Sequence, residues 1–278
     1  MTTPPSPIER RLTLPAGDFR LLEWPGEGPP AVFLHGLSGS ADVWGGTVAG
    51  LPGCHAFAID QRGHGSSPQP ATGYHQTEYA ADAHALSDAL ALDRPHLIGH
   101  SMGGRVALVA AARWPGLFRS VAIVDIGPEA WKQNWVDTVA AFDRMPPGFA
   151  SRAEAIAYAS RGRILTPEAI ERFLGRLAEQ ADRSYRWKAN FDALKQTVTL
   201  QRGRGYWREW ERISDPLLLI RGGTSDELRP AVAAAMRKRN PLARYEEFAD
   251  TGHNIPLIAP GLLAESLRAH WVAVGGGG

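Results

Sequence analysis

A serine between two glycines, in the run Gly99-His100-Ser101-Met102-Gly103, is the pattern in this sequence with the clearest chemical meaning. An apolar run typical of a buried strand precedes the serine, and a stretch with helical periodicity follows it. Glycine at both flanking positions permits a sharp turn, because side chains there would collide across it. The serine hydroxyl then lies at the start of a helix, where free backbone N–H groups favour a developing negative charge. The spacing therefore predicts Ser101 as the nucleophile of an acyl-transfer reaction.

A serine hydroxyl is a weak nucleophile at neutral pH and needs an adjacent general base. Of the nine histidines, His253 follows the last strand-like run and precedes the final predicted helix, in the segment Thr251-Gly252-His253-Asn254. That place near the end of the chain suits a base that serves an upstream serine, and we predict His253 in this role. His100 neighbours Ser101 in sequence, but we expect its side chain to point away, into the packing beneath the turn.

Short apolar runs alternate with longer amphipathic stretches, which is typical of a mostly parallel sheet covered by helices. An antiparallel hairpin over residues 11–24 opens the chain. Further strands are predicted at residues 31–34, 55–59, 96–99, 120–124, 217–220 and 245–248. Between residues 128 and 210 only helical periodicity is visible. We therefore predict a core formed by residues 1–127 and 211–278, with a helical cap, residues 128–210, inserted after the sixth of eight strands.

Two further segments, together with the serine motif, give the chain a clear family resemblance. The run Phe33-Leu34-His35-Gly36-Leu37 resembles the oxyanion loop of the α/β-hydrolase-fold family, and Asp60-Gln61-Arg62-Gly63-His64-Gly65 resembles a structural loop of the same family. The resemblance covers the whole chain and implies the α/β-hydrolase fold. It also implies that the backbone N–H groups of Leu37 and Met102 bind the oxyanion. We expect no cofactor and no metal, because no cluster of His, Asp and Glu has the spacing of a metal site.

The acid that orients the histidine has two candidate positions. In this family it usually follows the strand at 217–220, where position 225 is a serine and Asp226 lies one residue late. Asp125 directly follows the strand at 120–124, where some subfamilies carry their acid. The chain also resembles the branch of the family that hydrolyses 2-(acetamidomethylene)succinate, which lacks the usual acid. We therefore predict Asp125 as the acid, with Asp226 as the alternative.

Composition excludes several other classes of function. Lys and Arg number 30 against 29 Asp and Glu, a net charge of +1, so no strong field attracts nucleic acid or an anionic membrane. The single cysteine, Cys54, excludes an internal disulfide and a cysteine-based metal cluster. No stretch has the roughly 18 apolar residues of a membrane span, and because residues 1–11 contain no apolar stretch we expect no signal peptide there. We expect a cytoplasmic monomer or homodimer that binds a small-molecule substrate.

The leading functional interpretation is a serine hydrolase that cleaves a small carboxylic ester, lactone or related amide through an acyl-enzyme. The alternatives are a hydrolase of C–C bonds in a dienoic keto acid, and a ligand-sensing receptor with little turnover. The predicted cap carries 14 basic and 10 acidic side chains, a net charge of +4. By resemblance to the succinate-type branch, Arg161 or Arg163 would meet a carboxylate of the substrate.

Overall fold

The computed structural model describes residues 6–129, 135–161, 170 and 173–275 of the 278-residue chain. Within these residues, an eight-stranded sheet has the order β1-β2-β4-β3-β5-β6-β10-β11. Its strands are β1 Ile8–Leu14, β2 Gly17–Trp24, β3 Pro30–Leu34, β4 His55–Ile59, β5 His96–His100, β6 Ser120–Val124, β10 Leu217–Gly222 and β11 Ala243–Phe248.

The sheet is parallel from β4 to β11, and β1 and β2 form the antiparallel hairpin at its edge. The central strands are buried and mostly apolar because helices cover both faces of the sheet. The prediction of a mostly parallel eight-stranded α/β-hydrolase sheet is confirmed. Because parallel strands end at the same edge, the residues that follow β5, β6 and β10 lie close together.

Helices pack on both faces of this sheet. Their bounds are α1 Gly45–Ala49, α2 Gln76–Ala89, α3 Met102–Arg113, α8 Pro230–Arg239, α9 Ile255–Ile258 and α10 Pro260–Ala273, with a 3₁₀ turn at Ala41–Trp44. Helices α2, α3 and α8 bury Leu86, Val106 and Val232 on one face. Helices α1 and α10 bury Val48 and Leu267 on the other.

The segment 128–210 contains both helices and strands. The described helices are α4 Trp135–Asp143, α5 Arg152–Ser160, α6 Phe191–Leu200 and α7 Trp207–Arg212. Three short strands, β7 Gly148–Phe149, β8 Leu177–Glu179 and β9 Tyr185–Trp187, form an antiparallel sheet in the order β7-β9-β8. The expectation of helical structure alone was therefore wrong. Strands of two or three residues are too short to show an alternating pattern. The rings of Phe149 in β7 and Trp187 in β9 contact each other, with centroids 5.8 Å apart.

Candidate active site

Ser101 occupies the turn between β5 and α3, with a backbone φ of 53°. The two neighbouring glycines are required by close backbone contacts. A Cβ at Gly99 would lie 2.1 Å from the carbonyl oxygen of Gly103, and a Cβ at Gly103 would lie 2.2 Å from that of Leu34. The turn is fixed to the adjacent strand, because the Ser101 N–H donates to the carbonyl of Val124 at 3.0 Å. The local sequence therefore forces the serine out of the sheet.

His253 lies in the loop between β11 and α9, and the loop directs its imidazole towards Ser101. Its Nε2 is 2.9 Å from Ser101 Oγ, and its Nδ1 is 2.8 Å from Asp125 Oδ2. Because the carboxylate can only accept, Nδ1 carries the proton in this arrangement and Nε2 accepts the hydrogen bond from the serine hydroxyl. The structure thus brings together the three side chains that were predicted as nucleophile, base and acid.

Asp125 follows β6 directly and is fully buried. Besides the histidine, two groups donate to its carboxylate: the N–H of Gly222, the last residue of β10, at 2.8 Å from Oδ1, and the hydroxyl of Ser225 in the following loop, to Oδ2. These donors compensate a buried negative charge that would otherwise be costly. The alternative acid, Asp226, is exposed in the same loop, and His253 bonds to Asp125 instead.

Leu37 and Met102, the predicted donors to an oxyanion, both line the cavity that contains Ser101 and His253. Met102 is the first residue of α3, so its N–H lacks a partner within the helix. Leu37 belongs to the loop after β3. Both backbone N–H groups therefore belong to segments that border the serine hydroxyl.

Two buried histidines brace the loop that carries Leu37. His35 Nε2 accepts from the N–H of Gln61 at 3.0 Å, and its Nδ1 donates to the carbonyl of Gly36 at 2.8 Å. His64 Nε2 accepts from the N–H of Ser38 at 3.1 Å. Burial lowers the pKa of His35 to about 4 and that of His64 to about 3. Both rings are therefore neutral at neutral pH, as their acceptor roles require.

His100 differs from the expectation that it points away from the site. Its Nε2 donates to the backbone carbonyl of His253 at 2.8 Å, and the two imidazole rings lie 4.8 Å apart. The loop of His253 crosses the end of β5, and its carbonyl provides the partner that a buried N–H needs. Burial lowers the pKa of His100 to about 3, so the ring positions His253 as a neutral donor.

Two adjoining cavities lie at this site, and the smaller of them reaches Ser101. The smaller, of about 330 Å³, contains the serine and His253 and has polar walls from Arg105, Gln201 and Glu227. The larger, of about 570 Å³, has apolar walls that include Val43 and Leu257. Residues common to both cavities are Gly36, Leu37, His100, Arg176 and Asn254. Because Arg176 and Gln201 belong to the segment 128–210, this segment forms part of the walls.

Of the two arginines predicted to meet a substrate carboxylate, Arg161 does not line these cavities. Arg161 is exposed, and its guanidinium carbon lies 3.8 Å from the centre of the Tyr158 ring instead of lining either cavity. Arg163 lies outside the described residues. Arg176, which lines both cavities, was not predicted from the sequence. Nothing in the local pattern distinguishes it from the other arginines of the segment.

Arg105 was also missed, although it lies one helical turn after Ser101. Its buried guanidinium donates to the carbonyls of Gly127 and Glu129 at 3.2 and 3.1 Å and to the Gln201 side chain at 2.9 Å. It therefore connects α3 to both ends of the segment 128–210. The sequence did contain a signal for this. Arg105 lies on the otherwise apolar face of the helix that follows Ser101, which indicates a buried arginine.

The described part of the chain offers no group of three His, Cys, Asp or Glu side chains placed to hold a metal ion. Cys54 is buried, and burial raises the pKa of its thiol to about 12. Among the described helices, none combines the length and apolar character needed to cross a membrane.

Comparison with known proteins yields matches over most of the chain. The solved structure of E-2-(acetamidomethylene)succinate hydrolase matches with a TM-score of 0.85 and 26% identity, covering 95% of this chain and 98% of that one. In sequence, 2-(acetamidomethylene)succinate hydrolase of Mesorhizobium japonicum is 40% identical over 104 residues, so the match spans only 37% of either protein. An esterase of Mycobacterium tuberculosis is 27% identical over 263 residues, which cover 91% of this chain and 86% of the esterase.

The model of one protein family covers nearly all of the parallel sheet and the loops at its carboxyl edge. It matches residues 29–260 and describes the alpha/beta hydrolase fold. These limits include the serine turn, the loop after β3 and the loop of His253. The chain therefore belongs to the α/β hydrolase fold family.

Proposed function

We propose that this protein is a serine hydrolase that cleaves a small carboxylic ester, lactone or related amide through an acyl-enzyme. The observation that carries the proposal is the continuous hydrogen-bonded chain from Asp125 through His253 to Ser101, which ends at a cavity. A serine hydroxyl held by a neutral imidazole Nε2 is the arrangement that general-base activation requires.

The reaction follows from this geometry in two halves. His253 Nε2 takes the proton of Ser101 Oγ as the oxygen attacks the substrate carbonyl, and the N–H groups of Leu37 and Met102 receive the oxyanion. A single donor of this kind lowers the barrier by about 3–4 kcal/mol. The imidazolium then protonates the leaving group, which leaves the acyl group on the serine. A water molecule, deprotonated by the same histidine, hydrolyses this ester and restores the hydroxyl.

The cavities favour a small substrate that has one polar and one apolar part. The serine lies in the smaller, polar cavity, and the apolar cavity joins it beside Leu37 and His100. Together with the similarity to an esterase and to a hydrolase of an acetamido-substituted diacid, this favours an ester or amide of modest size. We also propose that residues 128–210 act as a cap on a core of residues 1–127 and 211–278, because Arg176 and Gln201 contribute to the cavity walls.

A substrate carboxylate, if present, would meet Arg176 in preference to Arg161. Arg176 borders both cavities, whereas Arg161 lies against Tyr158. Replacing Arg176 with Gln should raise KM for acidic esters about tenfold more than for neutral esters, since a charge-assisted hydrogen bond is lost. Arg161→Gln is the matched control and should change neither value. Equal effects of Arg176→Gln on both ester classes would contradict carboxylate recognition.

The function is tested with a panel of p-nitrophenyl esters, lactones and amides, together with a fluorophosphonate probe that labels activated serines. We expect sustained turnover and labelling, both abolished by Ser101→Ala and unaffected by Ser66→Ala, an exposed serine. Labelling that survives Ser101→Ala would overturn the proposal. Labelling of Ser101 without turnover of any compound in the panel would instead favour a C–C bond hydrolase or a ligand-sensing receptor. Turnover of a dienoic keto acid would then identify the C–C bond hydrolase.

A further inference from the structure

Ser225 stands in the loop after β10 at the position where this fold usually carries its acid, and its side chain reaches Asp125. Its hydroxyl donates to Asp125 Oδ2, the oxygen that also accepts from His253 Nδ1. The direction of this hydroxyl is fixed, because Ser225 Oγ itself accepts from the backbone N–H of Glu227 at 3.1 Å. Because one lone pair of Ser225 Oγ accepts this N–H, the hydroxyl proton is directed at the Asp125 carboxylate.

The carboxylate is therefore held from the β10 side at both oxygens. The N–H of Gly222 donates to Oδ1 at 2.8 Å, and the N–H of Asp125 itself donates to the carbonyl of Ile220 at 2.8 Å. The hydrogen bond from Gly222 fixes Oδ1, but by itself it lets the carboxyl group rotate about that hydrogen bond. The Ser225 hydroxyl supplies the second point, which keeps Oδ2 directed at the imidazole.

The loop depends little on this hydroxyl for its own conformation. Arg221 donates from Nε to the carbonyl of Leu228 at 2.7 Å and from Nη2 to the carbonyl of Gly223 at 3.0 Å. The N–H of Ser225 donates to the carbonyl of Gly222 at 3.0 Å. These contacts do not involve Ser225 Oγ and remain when the side chain is shortened, so the loop loses only the acceptor of the Glu227 N–H, whereas Asp125 loses a donor.

We propose that Ser225 is a positioning residue for the hydrolysis, which holds the Asp125 carboxylate against His253. This inference rests on the proposed function of Ser101, His253 and Asp125. Since Ser225 Oγ and His253 Nδ1 bond to the same carboxylate oxygen, loss of the hydroxyl acts directly on the oxygen that orients the imidazole.

The test removes the hydroxyl. Ser225→Ala should lower kcat for a p-nitrophenyl ester roughly tenfold, as expected for the loss of one charge-assisted hydrogen bond, and leave KM unchanged. Thr224→Ala, the exposed neighbour in the same loop, is the matched control and should leave both constants unchanged. A wild-type kcat in Ser225→Ala overturns the positioning role. Thermal melting shows that each variant is folded.

The proposed function is tested separately. Retained turnover in Ser101→Ala would refute it whatever the result in Ser225→Ala, so the two failures are distinguishable.

Discussion

Ser101 and Asp125 have backbone φ angles of 53° and 52°, in the left-handed region that non-glycine residues rarely adopt. Each directly follows a central strand, and each N–H donates to the carbonyl of the next strand in the sheet. A conformation of this kind costs on the order of 1–3 kcal/mol and persists only where surrounding contacts hold it. The strain therefore falls on the two residues that must project beyond the sheet edge.

The identity of the acid is testable at this scale. Asp125→Asn should lower kcat roughly 10⁴-fold with little change in KM, because an amide no longer holds the imidazole in the required tautomer. Asp226→Asn, which changes an exposed side chain in the β10 loop, should leave kcat within twofold of the wild type. Steady-state kinetics with a p-nitrophenyl ester measure both. The opposite result would make Asp226 the acid.

The glycines of the serine turn predict a second effect. Gly103→Ala should destabilise the fold by about 3 kcal/mol or more, since the new methyl group would overlap the Leu34 carbonyl, a backbone atom that cannot rotate away. Gly45→Ala adds the same methyl group in a helix where no atom lies within 4 Å, and should be neutral or slightly stabilising. Urea denaturation of the two variants gives the comparison, and equal stabilities would refute the steric argument.

At the scale of elements, α3 connects Ser101 to the segment 128–210. Arg105 on this helix binds the backbone at Gly127 and Glu129, where the segment begins, and Gln201, near its end. Replacing this buried guanidinium lowers the stability of the fold. Each of its acceptors then loses a hydrogen-bond donor at a position where water cannot replace it. The helix that carries Ser101 at its start thus also fixes both connections of the proposed cap.

Arg105→Met should therefore loosen the segment. We expect roughly 2 kcal/mol or more of lost stability and faster amide hydrogen exchange in residues 173–205, with smaller changes in the central strands. Arg113→Met, on the exposed last turn of the same helix, is the matched control and should change neither quantity. Uniform changes in exchange across the whole sheet would argue against a local connecting role.

For the molecule as a whole, four buried histidines make stability depend on pH. Burial lowers the pKa of His35 to about 4 and the pKa values of His64, His96 and His100 to about 3. In the unfolded chain these groups would titrate near 6.5. Between those values the unfolded state binds more protons than the folded state, so stability is complete above about pH 6.5 and declines as the pH falls.

Each of these histidines should remove up to about 1.4 kcal/mol of unfolding free energy per pH unit within that window. Urea denaturation from pH 8 to pH 4.5 should show this decline, which begins before carboxylates protonate. His96 is the first residue of β5, at the opposite end of that strand from Ser101. His96→Asn removes one titrating group and should reduce the pH dependence of the unfolding free energy by the contribution of about one proton. A slope that is unchanged in this variant, or stability that is flat down to pH 5, would contradict the prediction.

Much of this architecture could be predicted because its signals are local. The sheet strands are short apolar runs between glycines and amphipathic helices, and the serine turn has a fixed spacing. The three-stranded sheet at β7, β8 and β9 was not predicted, because its strands are too short to show an alternating pattern and the contact of Phe149 with Trp187 joins residues distant in sequence. The orientation of His100 was predicted wrongly for a similar reason, since its partner is a backbone carbonyl 153 residues away.

The sequence by itself determined the fold family, the serine turn and the residues that can act as base and acid, since each depends on residue types at fixed local spacings. The tertiary structure decided which of these groups meet. It placed Asp125 rather than Asp226 against His253, assigned Ser225 to the carboxylate and brought Arg176 and Gln201 to the cavities. These contacts join residues far apart in the chain, and their distances depend on strand order and loop paths that no local pattern encodes.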